Sequence, residues 1–188
     1  MSEFERLLRQ HLGGHVAVSG AQVGALERHY ELLVRWNRVL NLTAIRNVEE
    51  AVIRHYCECL FFASLMPQSG RILDFGSGAG FPGIPISVLR PECHLTLAES
   101  HQRKAVFLRE ATRGMANVEV AAQRVEDLTG SWDLLVSRAV DPAEVLRQLP
   151  RLAPEAAMLV GGGVAREAKR AVRLPWGDDR WALFRRST

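Results

Sequence analysis

The stretch that decides the fold is Asp74-Phe75-Gly76-Ser77-Gly78-Ala79-Gly80-Phe81-Pro82-Gly83. It directly follows Ile72-Leu73, a short apolar run typical of a buried strand, and it precedes a segment with helical spacing. Glycines at alternate positions let the backbone turn sharply and approach another molecule closely. Because open α/β sheets bind ligands beyond the carboxyl ends of their strands, the sequence predicts a ligand-binding loop between a strand and a helix.

Short apolar runs alternate with amphipathic stretches on the C-terminal side of this loop. The predicted strands are residues 72–73, 94–98, 118–120 and 134–136, and residues 156–160 and 181–184 could add two more. Strands that alternate with helices favour parallel pairing through right-handed crossovers. We therefore expect a Rossmann-like α/β core over residues 67–188, with its sheet covered on both faces.

The N-terminal side of the loop is predicted to be helical. Ser19 can cap a helix over residues 22–40, whose apolar side chains follow helical spacing. Asn47 stands three residues before Glu50, the spacing of a capping box, at the start of a second helical pattern. We expect residues 1–66 to form a helical N-terminal extension attached to the core in one compact unit.

Composition indicates a globular protein and excludes a disordered one. Of the 188 residues, 47% are apolar and 24% are charged, a balance that supports one sizeable core. No apolar run is long enough to cross a bilayer, and the acidic N-terminus does not resemble a secretory signal. The expected location is the cytoplasm, with no membrane partner.

The net charge and the cysteine content say less about the function than the glycine loop does. The formal net charge of +3 permits a polyanionic partner without requiring one. Cys57, Cys59 and Cys93 form neither a disulfide framework nor a set of metal ligands. We expect all three to be buried thiols, and we expect no metal site.

The glycine loop allows two cofactors to be considered. Gly78 to Gly83 fits the dinucleotide pattern G-x-G-x-x-G, but Gly76 already occupies the place of the first glycine. Phe81 then stands where the third glycine belongs and leaves less room for a pyrophosphate. S-adenosyl-L-methionine has no phosphate, so Gly76, Gly78 and Gly80 are better suited to its methionine part.

Other strand ends supply candidate contacts for a nucleoside. Glu99 ends the second predicted strand, where a carboxylate can accept hydrogen bonds from both ribose hydroxyls. Val125 and Glu126 follow the third strand, where an adenine ring would lie. Arg138 ends the apolar fourth strand, an unusual place for a purely structural charge. By contrast, Trp36, Asn41 and Thr43 are expected to fix a helix end, and His55 to be a hydrogen-bonded structural histidine.

A set of motifs spans most of the chain. They are Trp36-Asn37-Arg38-Val39-Leu40-Asn41-Leu42-Thr43-Ala44-Ile45, Arg54-His55, Asp74 to Pro85, Glu99-Ser100, Arg103-Lys104, Phe107-Leu108, Arg124-Val125-Glu126 and Ser137-Arg138-Ala139. Together they resemble the glucose-inhibited division protein B family, the bacterial guanine-N7 methyltransferases of small-subunit ribosomal RNA. The combination of an N-L-T turn, a G-S-G-A-G-F-P-G-I-P loop and an S-R-A strand end is highly specific, and the resemblance covers roughly residues 26–160.

This resemblance implies a Rossmann-like methyltransferase fold, S-adenosyl-L-methionine as cofactor, and 16S ribosomal RNA of the small ribosomal subunit as substrate. The implied cofactor contacts are Gly76, Phe81, Val125, Glu126 and Arg138, to which the residues themselves add Gly78, Gly80 and Glu99. The chain departs from the family at Glu58-Cys59-Leu60, where D-S-L is usual. It also lacks, in residues 159–163, the lysine of the usual lysine–glycine pair.

Guanine N7 carries an in-plane lone pair and no proton, so we expect no catalytic acid or base. The protein would align the reactants in a dry pocket and accept an unpaired base. Basic residues towards the C-terminus could follow phosphates, or form a solvated helix face and tail: Arg166, Lys169, Arg170, Arg173, Arg180, Arg185 and Arg186. Two alternatives stay open, a dinucleotide-dependent oxidoreductase and a non-catalytic ribosome assembly protein that holds cofactor or RNA.

Overall fold

The computed structural model describes residues 1–165, 170–177 and 179–187. The helices are α1 (Glu3–Leu12), α2 (Gly20–Asn37), α3 (Val48–Ala51), a π-helical segment (Val52–Cys57), α4 (Glu58–Ser64), α5 (Gly83–Leu89), α6 (Gln102–Ala111), a 3-10 turn (Val125–Asp127), α7 (Pro142–Leu152) and α8 (Gly162–Ala165). The strands are β1 (Gly70–Phe75), β2 (Cys93–Ala98), β3 (Val118–Ala121), β4 (Leu134–Arg138), β5 (Glu155–Gly161), β6 (Ala171–Arg173) and β7 (Arg180–Arg186).

Across these described residues the strands form one sheet in the order β3-β2-β1-β4-β5-β7-β6. Strands β3, β2, β1, β4 and β5 are parallel, whereas β7 is antiparallel to both β5 and β6. Every predicted strand is present, and β6 is an addition. The insertion of β7 between β5 and β6 differs from the 3-2-1-4-5-6 order of the dinucleotide-binding fold, which disfavours the oxidoreductase alternative.

The central strands are buried on both faces, as expected of a covered parallel sheet. Successive side chains of β1 point to opposite faces, and Ile72 and Leu73 accordingly join different apolar clusters. Leu73 packs in the cluster that contains Val145 and Leu149 of α7. The three-layer α/β arrangement is therefore confirmed.

The N-terminal helices cover the other face. Phe4 of α1, Leu26 of α2 and Tyr56 of the π-helical segment belong to the same apolar cluster as Ile72 and Ile84. Burial of these large side chains stabilises the packed layer by about 1.5–3 kcal/mol each. This contact brings the N-terminal helices up to the glycine loop, which lies between β1 and α5.

Local sequence signals set the helix ends. The Ser19 hydroxyl accepts a hydrogen bond from the Gln22 amide at 3.2 Å, and the Gln22 side chain accepts one from the Ser19 amide at 2.8 Å. This capping box starts α2 at Gly20, and α2 ends at Asn37, earlier than predicted. The Asn47 side chain accepts a hydrogen bond from the Glu50 amide at 3.1 Å, so the predicted cap at the start of α3 is confirmed.

A π-helical segment interrupts the helix that α3 and α4 would otherwise form. The Glu58 amide donates to the Ile53 carbonyl, five residues earlier. Such insertions rotate the following side chains relative to a regular helix and are frequent at functional sites. Arg54 and His55 lie in this segment.

All three cysteines are free and buried, as predicted. Burial raises the pKa of the Cys57 and Cys59 thiols to about 12, which makes them poor nucleophiles. In the part of the chain that the structure describes, no helix has both the length and the apolar character needed to cross a membrane.

Candidate functional site

The glycine loop begins at the carboxyl end of β1 and turns back over β2. The amides of Gly76 and Ser77 both donate to the Ala98 carbonyl at 3.0 Å. Gly76, Gly78 and Gly80 have φ angles of +71°, +55° and +87°, a region that residues with a side chain rarely adopt. The alternate glycines are therefore required by the backbone of the loop.

Glu99 fastens this loop to the end of β2. One of its carboxylate oxygens accepts a hydrogen bond from the Gly78 amide at 3.0 Å, and the other accepts one from the His101 amide at 2.8 Å. A carboxylate has about four acceptor positions, so each oxygen retains capacity for another donor. Glu99 is 8% exposed and faces a cavity.

That cavity, which we call the Glu99 cavity, has a volume of about 140 Å³. Its lining residues are Phe75, Gly76, Ala98, Glu99, Ser100, Gln123, Arg124, Val125, Glu126 and Glu144. It thus brings together Gly76, Glu99, Val125 and Glu126 from the predicted site, and Gly78 joins them through its bond to Glu99.

Gly80 and Phe81 lie behind the loop rather than on the Glu99 cavity. A Cβ atom on Gly80 would overlap the Ile84 side chain and come within 3.3 Å of His29 Nε2. Phe81 is 3% exposed, and its ring stacks on that of His55 with a centroid distance of 4.7 Å. In this structure both residues pack the loop against the N-terminal helices.

A larger cavity, the Arg138 cavity, opens beside the first with a volume of about 500 Å³. Its lining residues are Ile45, Arg54, His55, Arg138, Ala139, Val140, Asp141, Pro142, Leu159, Val160, Gly161, Val164 and Arg180. Val140 lies between the two cavities: it lines the Arg138 cavity, and its Cγ2 atom lies 2.9 Å from the position of a Cβ on Gly76, which lines the Glu99 cavity. Ala139 in this wall has a φ of +62°, an uncommon conformation for a residue with a side chain.

Arg138 is held rigidly at the edge of this cavity. Its guanidinium donates to the Arg54 carbonyl at 2.8 Å and to His55 Nδ1 at 2.7 Å. It also lies over the Phe81 ring, 4.9 Å from the centroid. The motifs R-H, S-R-A and the phenylalanine of the glycine loop therefore meet at one point.

His55 is neutral and its tautomer follows from its partners. Arginine only donates, so Nδ1 accepts from Arg138 and Nε2 carries the proton towards Thr43 Oγ1, 2.8 Å away. Burial, followed by the charge of Arg138, lowers the pKa of His55 to about 3. His55 thus makes the hydrogen bonds expected of a structural histidine, and it also lines the Arg138 cavity.

The turn after α2 is fixed by a residue that the prediction overlooked. Asn37 donates from its side chain to the Thr43 carbonyl at 2.9 Å and accepts from the Thr43 amide at 3.0 Å. Thr43 thus has its expected structural role. Trp36 is also structural: its carbonyl accepts from the Leu40 amide at 2.9 Å, and its indole donates to Glu110 of α6 at 3.0 Å. Asn41 is exposed.

A second buried histidine ties the glycine loop to α2. His29 Nε2 lies 2.9 Å from the Ala79 carbonyl, which can only accept, and Tyr56 donates to Nδ1 at 3.0 Å. Burial lowers the pKa of His29 to about 4. This neutral ring holds the loop at Ala79, next to the Gly78 amide that Glu99 holds. The sequence did not predict this contact, because a lone histidine in a helical pattern does not indicate its partner.

Glu58 organises two of the arginines around the Arg138 cavity. Its fully buried carboxylate accepts a hydrogen bond from Arg180 at 3.0 Å and forms an ion pair with Arg54 at 3.2 Å. Glu58 replaces the usual aspartate of the resembled family, and its longer side chain reaches β7. Arg180 is thereby the only residue of the basic C-terminal set, among the described residues, that lines this cavity.

The other basic residues of the C-terminal set contact different parts of the protein or are not among the residues that the structure describes. Arg186 pairs with Glu155 at 2.8 Å, Arg170 lies 4.5 Å from the Phe184 ring centroid, and Arg185 donates to the Phe184 carbonyl at 3.4 Å. Arg173 lies in β6, so it is not part of the helix face that was one interpretation of these basic residues. Arg166 and Lys169 are outside the described residues.

Asp74, at the end of β1, is a buried acid that the prediction did not single out. Its Oδ2 accepts a hydrogen bond from the Gly83 amide at 3.0 Å, whereas Oδ1 has no hydrogen-bond partner among the described residues. Burial is the main cause that raises the pKa of this carboxyl from 3.8 to about 7. The folded protein therefore holds this proton more tightly than the unfolded chain does.

The stability contributed by Asp74 is present below pH ~4 and is lost as the pH rises through about 7. Asp74→Asn keeps an acceptor for Gly83 and removes the charge. We expect this variant to gain stability relative to the parent protein by up to about 4 kcal/mol between about pH 4 and pH 8. Urea unfolding of both proteins across this range measures the difference in their free energies of unfolding. The titration of His29 and His55 contributes equally to both proteins and therefore cancels in this difference. A difference that does not change with pH would contradict the assignment.

Comparison with solved structures defines the class of fold. A methyltransferase from Pyrococcus furiosus superimposes with a TM-score of 0.57, over 86% of this chain and 97% of that one, at 14% sequence identity. The 23S rRNA methyltransferase ErmE superimposes with a TM-score of 0.55, over 68% of this chain and 66% of that one, at 16% identity. The fold is that of the Rossmann-like methyltransferases.

Sequence comparison gives the family. Residues 22–163 match the GidB family model, described as rRNA small subunit methyltransferase G, and the chain belongs to this family. Ribosomal RNA small subunit methyltransferase G of Nitrosomonas europaea is 41% identical over 72% of this chain and 64% of its own length. The protein of the same name from Solibacter usitatus is 35% identical over 91% and 89%. The chain spans 56% of the matching Dichelobacter nodosus protein, at 46% identity over 60% of this chain.

Proposed function

We propose that this chain is an S-adenosyl-L-methionine-dependent methyltransferase that methylates N7 of a guanine in 16S ribosomal RNA. The observation that carries the proposal is the meeting of two cavities at the carboxyl edge of the sheet. The Glu99 cavity offers acceptors for a nucleoside, and the adjoining Arg138 cavity is basic and large enough for a base. The names of the family relatives support ribosomal RNA as the substrate.

The residues present fit S-adenosyl-L-methionine. Glu99 would accept hydrogen bonds from the ribose hydroxyls, and Val125 with Glu126 would border the adenine. Among the described residues, the Gly76 carbonyl alone lies within 4 Å of a Cβ position on Gly78, so the loop leaves space for the methionine part. The Glu99 cavity, at about 140 Å³, is smaller than the roughly 300–1,000 Å³ of whole-ligand pockets. It therefore suits the nucleoside, with the remainder of the cofactor directed past Gly76 towards Arg138.

The other predicted cofactor contacts, Gly80, Phe81 and Arg138, would have different roles. Gly80 and Phe81 would act from behind, by fixing the loop whose backbone faces the cofactor. Arg138 would present its charge at the boundary of the two cavities. Bound S-adenosyl-L-methionine would supply a methyl group on a sulfonium, which a lone pair can attack directly.

The chain's own task in the reaction is to present and orient the guanine. Arg54, Arg138 and Arg180 make the larger cavity electropositive, which attracts the phosphates of RNA. The base must enter unpaired, because N7 has to face the neighbouring cavity. Positive charge develops on the ring during transfer, and Asp141 supplies a carboxylate in the cavity wall. No residue is required to remove a proton from N7.

The deciding experiment measures methyl transfer from labelled S-adenosyl-L-methionine. The substrates are small ribosomal subunits lacking the modification, free 16S RNA and large subunits, and the methylated atom is located afterwards. We expect N7-methylguanosine in 16S RNA, consistent with a cytoplasmic enzyme that acts on the small subunit. Label in large-subunit RNA or on protein would reject the substrate. Cofactor and RNA binding with no transfer would favour a non-catalytic assembly protein.

Replacement of Glu99 by alanine is expected to weaken S-adenosyl-L-methionine binding by about 1.5–3 kcal/mol, the worth of hydrogen bonds to a charged group. Calorimetric titration measures the affinity, and thermal unfolding of the free variant reports how much the loop itself depends on Glu99. NAD is titrated in parallel. Binding of NAD without binding of S-adenosyl-L-methionine would reject the cofactor assignment.

A further inference from the structure

A third cavity lies on the N-terminal helices, next to the Arg138 cavity. We call it the α2 groove, and its volume is about 200 Å³. It is lined by Tyr30, Leu33, Val34, Asn37, Arg38, Thr43, Ile45, Arg46, Asn47 and Ala51. Ile45 lines both this groove and the Arg138 cavity. The two cavities therefore adjoin each other at Ile45.

The α2 groove combines apolar surface with unpaired positive charge. Val34 is 41% exposed, one of the few large apolar side chains that the fold leaves open to solvent. Arg38 and Arg46 are exposed, and among the described residues no carboxylate lies within ion-pair distance of either one. An apolar floor with two free guanidinium groups suits a flat, anionic ligand.

Three polar side chains of the groove already make hydrogen bonds within the protein. Asn37 and Thr43 are hydrogen bonded to each other, and Thr43 Oγ1 also accepts from the Ile45 amide at 3.1 Å. The Asn47 oxygen caps α3. The groove therefore offers charge and an apolar face but few groups that could read the edge of a base.

We propose that the α2 groove binds a nucleotide that flanks the target guanine in the RNA, through its phosphate and base face and without selecting the base. This inference rests on the proposed function. When one base enters the Arg138 cavity unpaired, its neighbour also leaves the regular stack and needs a new surface. Unpaired bases pack on apolar side chains and on arginine planes, and Ile45 separates the two bases.

The test compares Arg38→Ser/Arg46→Ser with the matched control Arg109→Ser/Arg147→Ser. The control removes the same charge from exposed arginines of α6 and α7, outside all three cavities. For each protein, methyl transfer to small subunits lacking the modification gives kcat and KM. Direct binding of the same subunits gives Kd as a function of salt, and calorimetry gives the affinity for S-adenosyl-L-methionine.

We expect the groove variant to raise KM and Kd for the subunit about tenfold or more, with kcat and cofactor affinity unchanged. Its binding should also depend less steeply on salt than that of the control. Equal effects of the two double variants, or an unchanged Kd, would overturn the proposal while leaving the methyltransferase assignment intact. If the unaltered chain transfers no methyl group, the proposed function fails, and the binding measurement still decides the groove.

Discussion

Replacing Gly78 by valine is expected to weaken S-adenosyl-L-methionine binding by at least about a hundredfold, or roughly 2.7 kcal/mol. The added branched side chain would extend into the open space beside the loop, where the cofactor has to approach. The backbone there has a φ of +55°, so the substitution also strains the free protein by about 1–2 kcal/mol. Calorimetric titration and urea unfolding measure the two effects separately.

Gly114→Val is the matched control for this experiment. Gly114 has a φ of +85°, and no atom of the described part of the chain lies within 4 Å of its Cβ position, so valine there causes similar strain without touching the Glu99 cavity. We expect it to lower stability and leave cofactor affinity unchanged. Gly80→Val should act differently again, by forcing Ile84 away and destabilising the fold. Equal cofactor affinities of the Gly78 and Gly114 variants would place the cofactor elsewhere.

Glu58→Leu is expected to lower the free energy of unfolding by about 1–3 kcal/mol, less than the cost of breaking a fully buried ion pair, because the Arg54 and Arg180 side chains are 45% and 26% exposed. The carboxylate is fully buried, and its loss leaves Arg180 and Arg54 without their shared partner. Chemical denaturation measures the effect. Glu155→Leu is the control, since its pair with Arg186 is exposed and should contribute no more than about 1 kcal/mol.

A double variant tests whether pairing is the cause. Glu58→Leu/Arg180→Leu removes both charges, so it should be more stable than Glu58→Leu alone. If the double variant is instead less stable by the sum of the two single effects, the two side chains do not interact. In that case the carboxylate would contribute through Arg54 or through packing, and not through Arg180.

Local patterns were sufficient for most of the fold. Apolar runs of the length of a strand located the parallel strands, and the caps at Ser19 and Asn47 located two helix starts. Strand β6 was missed because Ala171-Val172-Arg173 has no apolar run of its own and depends on pairing with β7. The π-helical segment was missed because one inserted residue leaves the helical spacing of apolar residues almost unchanged.

The residues of the candidate site that directly follow strands could be predicted from the sequence. Gly76, Glu99, Val125 and Glu126 each follow a strand, and parallel strands place such residues along one edge. Contacts between distant helices were not predictable, because no local pattern pairs His29 with Ala79 or Glu58 with Arg180. The orientation of the Phe81 ring could not be predicted either, because a loop sequence does not specify whether a ring faces a ligand or the core.

The fixed position of Arg138 has a consequence for the entropy of binding. A free arginine side chain loses about 2 kcal/mol of rotamer entropy when a ligand immobilises it. Here the Arg54 carbonyl, His55 and the Phe81 ring already hold the guanidinium, so this loss occurs during folding. A ligand that reaches Arg138 gains a charged contact without ordering the side chain. Shortening Phe81, which does not line the Arg138 cavity, would return part of that entropy cost to the binding step.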